Sequence, residues 1–154
     1  MFTRIVDTDS KKLALINRVR EEGLEQTLIY TLDKCSDEHW LDILKYSWVI
    51  SVHDEDETAG FCWFDNQNGY SAWCHYVLFR SHMHVAEEAG FLPIQFLEIS
   101  LKVKTLLGLT PKVYRQSRSL MQAWGFKQIG VVPYGCYLAK YKRYTDGILY
   151  MRTT

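Results

Sequence analysis

Residues 48–80 read WVISVHDEDETAGFCWFDNQNGYSAWCHYVLFR, and the reading of this stretch decides the fold. Residues 48–52 are rich in β-branched and aromatic side chains, which suit a pleated, half-buried surface. The acidic run at residues 54–57 is costly to bury and predicts a turn. A second apolar run follows at residues 59–64. Asn68-Gly69 is a strong hairpin signal, because both residues tolerate the positive φ of a type I′ turn. Residues 70–80 then complete a long aromatic strand. Together the three runs predict an antiparallel meander.

Working outward, residues 3–6 suit a short first strand. Asp7, Thr8, Asp9 and Ser10 are N-cap types, and Leu13, Ile16 and Val19 carry helical spacing. Ser36 caps a second helix, with Asp37 and Glu38 at the positive end of its dipole and Trp40, Ile43 and Leu44 on its apolar face. After the meander, Pro93 fits the first turn of a helix over residues 94–107, where Leu92, Phe96, Ile99, Val103 and Leu106 recur at spacings of three and four. Gly108 reads as its stop. Residues 112–114 predict a short strand, and residues 117–124 a short helix ended by Gly125. Strands follow at 126–132 and 135–141 around Pro133-Tyr134. Residues 147–152 extend the last strand or add another.

The 154 residues, 47% apolar and 14% aromatic, suit a packed globule. No Pro/Gly/Ser-rich linker and no repeat divides the chain, which predicts a single domain over residues 1–154. Lys and Arg number 18, as do Asp and Glu, so no strong field favours nucleic acid or an anionic membrane. No run reaches the ~18 apolar residues of a membrane span. Cys35, Cys62, Cys74 and Cys136 contain no Cys-x-x-Cys pair, so they read as reduced, mostly buried thiols of a cytoplasmic protein. His82-x-His84 lacks a fixed third ligand, and no metal is expected.

The order of elements, with residues 48–64, the Ser117–Phe126 segment ending in Gly-Phe, and the run from Ile129 through Gly135 to Met151, resembles the GNAT N-acetyltransferase superfamily, nearest in look to its ribosomal-protein acetyltransferase branch. The resemblance covers the chain from about Trp48 onward. It implies an α/β fold with a central mixed, mostly antiparallel sheet of six to seven strands flanked by about four helices. It also implies acetyl-CoA as a substrate, bound where two parallel strands splay apart. Backbone groups of Val77, Leu78 and Phe79 would then run along the pantetheine, Ala89, Gly90, Phe91 and Leu92 would meet the pyrophosphate, and Ser117 would lie on the cofactor from the short helix. The acceptor would be a primary amine on a small molecule or a protein.

Two departures stand out. The pyrophosphate loop of that family is glycine-rich, whereas residues 80–92 hold one glycine, Gly90, beside Glu87 and Glu88. Where many members carry a proton-donating tyrosine, this chain has Met121. Tyr114, Tyr134 and Tyr137 are the tyrosines considered in its place. His75, on the third strand of the meander, is the expected base, since imidazole accepts a proton near neutral pH; a packed strand histidine is the alternative. Cys74 is its neighbour in sequence, but adjacent strand side chains face opposite ways. Trp63, Tyr70, Trp73 and Tyr76 suit either an acceptor groove or a protein interface. Asp146 resembles an acid of the same branch and equally suits an Asp-Gly turn.

A second reading starts from the same departures. The chain is similar in overall look to small phage-encoded members of the superfamily, some associated with virion head assembly. On that reading it is a catalytically degenerate binding protein of the host cytoplasm, partnered by a virion protein or by further copies of itself.

Overall fold

The computed structural model describes residues 1–28 and 35–153. Strands β1 (Phe2–Ile5), β2 (Trp48–Asp54), β3 (Glu57–Asn68) and β4 (Ser71–Leu78) form an antiparallel run. Its tight turns fall where the sequence puts them, with Glu55 at φ 51° and Gly69 at φ 62°. Strand β5 (Thr105–Pro111) joins β4 in parallel, and β7 (Arg143–Thr153) and β6 (Lys127–Leu138) complete seven strands in the order β1-β2-β3-β4-β5-β7-β6.

Helices cover both faces. On one lie α1 (Asp9–Glu21), α2 (Glu25–Leu28) and α3 (Asp37–Lys45). Thr8 and Ser36 cap α1 and α3, their hydroxyls accepting from the Lys11 and His39 amides. Ile16, Val19, Trp40 and Leu44 pack there on Phe61, Trp63, Val77 and Phe79. On the other face, α4 (Ala86–Ser100) and α5 (Arg115–Ala123) set Ile94, Leu97, Met121 and Trp124 against Cys62, Phe64, Leu106 and Tyr150. The alternation of β3, with Phe61 and Trp63 on one face and Cys62 and Phe64 on the other, feeds both cores.

Several predicted boundaries move. Helix α4 starts at Ala86, not at Ile94, and Pro93 sits buried in its interior. The missing proline N–H is offset by burial of Pro93, Ile94 and Leu97 on the sheet. The helix ends at Ser100, where Lys102 takes φ 54°, and residues 105–111 are strand rather than helix and stop. A Leu-Leu-Gly-Leu run fits either period over so short a window. Residues 112–114 form the turn into α5 instead of a strand. The two strands expected around Pro133-Tyr134 are one strand, β6, with an irregularity between Val132 and Cys136 and Tyr134 at φ 53°.

The parallel β4–β5 ladder pairs Ser71, Ala72 and Trp73 with Thr105, Leu106 and Leu107 and goes no further. Beyond it, residues 74–78 stay bonded to β3 and residues 108–111 to β7. Each arm is held from outside while their inner edges part, which opens a V in the sheet.

Candidate functional site

The V is the floor of a groove of about 520 Å³, a size typical of small-molecule sites. Residues 73–78 of β4 form one wall, and Gly108, Leu109 and Thr110 of β5 the other. Ser117, Leu120 and Met121 enter from α5, and Leu24, Leu28 and Ile43 from the opposite helical layer. Gly108 makes room for Met121, since a Cβ there would come 2.6 Å from its terminal methyl.

His75 lines this groove. Its ring stacks on the indole of Trp63, with centroids 4.7 Å apart and planes 6° from parallel. Its Nε2 lies 3.1 Å from an Asp65 carboxylate oxygen. The next residue, Tyr76, turns to the other face of β4, where its ring meets Trp124 edge-on. The Tyr76 hydroxyl is buried with no hydrogen-bond partner among the described residues. Burial, and then the nearby Cys62 and Cys74 thiols, push its pKa above the ordinary tyrosine range, so it is a neutral donor. Burial, then the Asp65 charge, pushes the Cys74 thiol up to about 12, so it stays protonated near neutral pH.

Of the other expected residues, Val77, Leu78 and Ser117 line the groove. Phe79 does not: it is fully buried beneath the Arg18 guanidinium, 3.9 Å from its ring centre. Ala89, Gly90, Phe91 and Leu92, expected in a loop, lie inside α4 and do not line the groove. Gly90 is a packing glycine, because a Cβ on it would overlap the Trp124 indole. Tyr134 is 75% exposed on β6, and Tyr137 packs edge-on against Tyr144; neither lines the groove, whereas Tyr114 does. Trp73 and Tyr76 line it with Trp63, while Tyr70 is exposed at the hairpin. Asp146 bonds Lys112 beside the β5–α5 turn.

Asp65 is the residue the sequence did not single out. The hairpin register Asn68↔Ser71, continued evenly, would set Trp63 opposite Tyr76. A bulge between Asp65 and Asn68 moves the pairing by one, so that Trp63 faces His75 and Asp65 faces Trp73. No turn rule supplies that bulge.

The open inner edges of β4 and β5 suit an extended ligand arm that carries amides. The link from β4 to α4 is less suited to phosphate. It winds as a 3₁₀ turn, Arg80–Val85, in which the His82 and Ala86 amides already bond Phe79 and Met83 carbonyls and the Arg80 amide bonds Glu22. Glu87 and Glu88 occupy the first turn of α4. His82 is buried, its Nδ1 2.8 Å from the Ser81 hydroxyl. Among the described residues no group of three or more His, Cys, Asp or Glu is arranged to hold a metal ion, and no helix is long and apolar enough to cross a membrane.

No family model matches the sequence, and no curated protein matches it. Solved structures do match, over nearly the whole chain. Spermidine N-acetyltransferase from Vibrio cholerae, in complex with CoA and spermine, superposes with a TM-score of 0.82 over 98% of this chain and 94% of its own, at 12% identity. Ribosomal-protein-alanine N-acetyltransferase from Brucella melitensis gives 0.76 over 100% of both chains at 16% identity. The fold is that of the GNAT acetyltransferases. Mycobacterium smegmatis RimJ in complex with CoA-disulfide shares the GNAT fold too, with a TM-score of 0.78 over 99% of this chain and 81% of its own at 14% identity. The sheet V is thus set in a GNAT framework, as the element order implied, with seven strands and five α-helices among the described residues.

Proposed function

We propose that this chain transfers an acetyl group from acetyl-CoA to a primary amine. The observation that carries the reading is the groove between the parted arms of β4 and β5, with His75 on its wall. Of the similar structures named above, two are acetyltransferases by name and two hold CoA or a CoA derivative, and this supports the donor. A binding or virion-assembly role without the reaction gains no such support.

In this reading the pantetheine arm lies along Val77 and Leu78, with Ser117 on the opposite wall. His75 takes the proton that an acceptor ammonium must lose, and Asp65 stabilises the imidazolium so formed. The nitrogen sheds two protons in all: His75 takes the first from the ammonium and yields it to solvent, the C–N bond forms as the C–S bond breaks, and the second, released from nitrogen on acylation, balances the one the thiolate acquires. Tyr76, on the far face of β4, gives a hydrogen bond to the thioester as charge develops there. Since its hydroxyl holds its proton tightly, it acts as a donor and not as a full acid. Met121, at the position of the usual tyrosine, supplies no proton.

Calorimetric titration tests this. Acetyl-CoA should bind, with thiol release once a primary amine is added; no heat at millimolar acetyl-CoA would sink the proposal. Because the 3₁₀ turn uses its own amides, acetyl-pantetheine should lose less than about tenfold in affinity relative to acetyl-CoA.

A further inference from the structure

The groove is chemically uneven, and its helical side points to a class of acceptor. Across β3 and β4, Trp63 stands opposite His75 and Asp65 opposite Trp73. Strand alternation puts these four side chains on one face, the face packed by α1 and α3. Leu24, Leu28 and Ile43 line the groove from that layer. Among the described residues lining the whole groove there is no Lys, Arg or Glu, and Asp65 is the one carboxylate.

We infer that the acceptor is a primary amine with a single positive charge, carried on an apolar aromatic or alkyl body, and not a polyamine or a basic peptide. The inference rests on the acetyl-transfer reading above. An ammonium arriving at His75 meets the Asp65 carboxylate and the neighbouring Trp73 side chain, which lines the groove, and both favour a cation. Beyond that point the described walls are mostly apolar, with Leu24, Leu28 and Ile43 beside the uncharged Thr27. An apolar body sheds water there favourably. A second ammonium would lose its hydration with no carboxylate among the described lining residues to replace it.

The test pairs two readouts. In the first, thiol release from acetyl-CoA is followed with phenylethylamine, hexylamine, spermidine and a lysine-containing peptide. The monoamines should exceed spermidine and the peptide in kcat/KM by about tenfold or more. In the second, the same amines are titrated by calorimetry without acetyl-CoA, and the monoamines should again bind at least about tenfold more tightly. Turnover that favours spermidine or the peptide overturns the acceptor class while leaving acetyl transfer intact. Monoamine-selective binding without turnover upholds the class and counts against acetyl transfer. Equal or absent binding of all four amines, with no selective turnover, overturns the class. Thr27→Glu, at an exposed position on the groove wall, adds a carboxylate with little risk to folding and should narrow the preference for monoamines. Ile43→Glu, on a different helix, should shift it the same way.

Discussion

His75 lies flat against Trp63, ring centroids 4.7 Å apart, and the two stand directly opposite each other on neighbouring strands. The stack fixes the plane of the imidazole, and an Asp65 carboxylate oxygen lies 3.1 Å from Nε2, close enough to act on its charge. A histidine so oriented presents its remaining edge in a defined direction, which a proton acceptor needs.

Replacing His75 with Ala should therefore lower kcat by about tenfold or more. Affinity for acetyl-CoA should change little, because the strand edge proposed to hold the arm is main chain. Asp65→Asn should give a smaller loss, since it removes the charge that stabilises the imidazolium but leaves the base in place. Steady-state kinetics with calorimetry on both variants decides this. Full activity in His75→Ala removes the residue from the mechanism.

Tyr76→Phe separates activity from stability. Its hydroxyl is buried without a partner among the described residues, so losing it should leave folding unchanged or improve it by up to about 1 kcal/mol. If that hydroxyl serves the thioester, kcat should still fall by roughly tenfold. Urea unfolding and kinetics on one preparation give both numbers. A variant that is more stable and equally active would make Tyr76 a plain core residue.

Gly90→Ala probes packing beneath the groove. The added methyl would overlap Trp124, whose Nε1–H donates to the Glu87 carbonyl at 3.0 Å. The variant should lose about 1–3 kcal/mol by urea unfolding, with a shift in tryptophan emission as the indole moves. Unchanged stability would mean that Gly90 is not held against that ring.

Alkaline pH should weaken the fold in a defined window. The ordinary thiol value is 9.0, and burial lifts Cys74 to about 12 and Cys62 in the same direction. Unfolded thiols therefore release protons before folded ones do. Their contribution is complete below pH 9.0 and declines as pH rises from there through about 12. The urea midpoint should fall across that window, and less steeply in Cys74→Ala. Parallel curves for the two proteins would show that Cys74 carries no such linkage.

Local chemistry settled much of this protein without coordinates. The acidic turn after β2, the Asn68-Gly69 hairpin, the cap at Ser36 and a cap within residues 7–10 are each decided by a few neighbouring residues, whose φ preferences and hydrogen bonds act over one or two turns of chain. The placement of His75 on a central strand followed from them. Tertiary structure alone decided the rest. Pro93 is tolerated inside α4 because the sheet buries its neighbours, and residues 105–111 are strand because β4 and β7 are there to pair them. Asp65 reaches His75 because one bulge moves the register by a single residue. The physical reason is that burial and strand pairing depend on surfaces brought from distant parts of the chain, and no local window contains them.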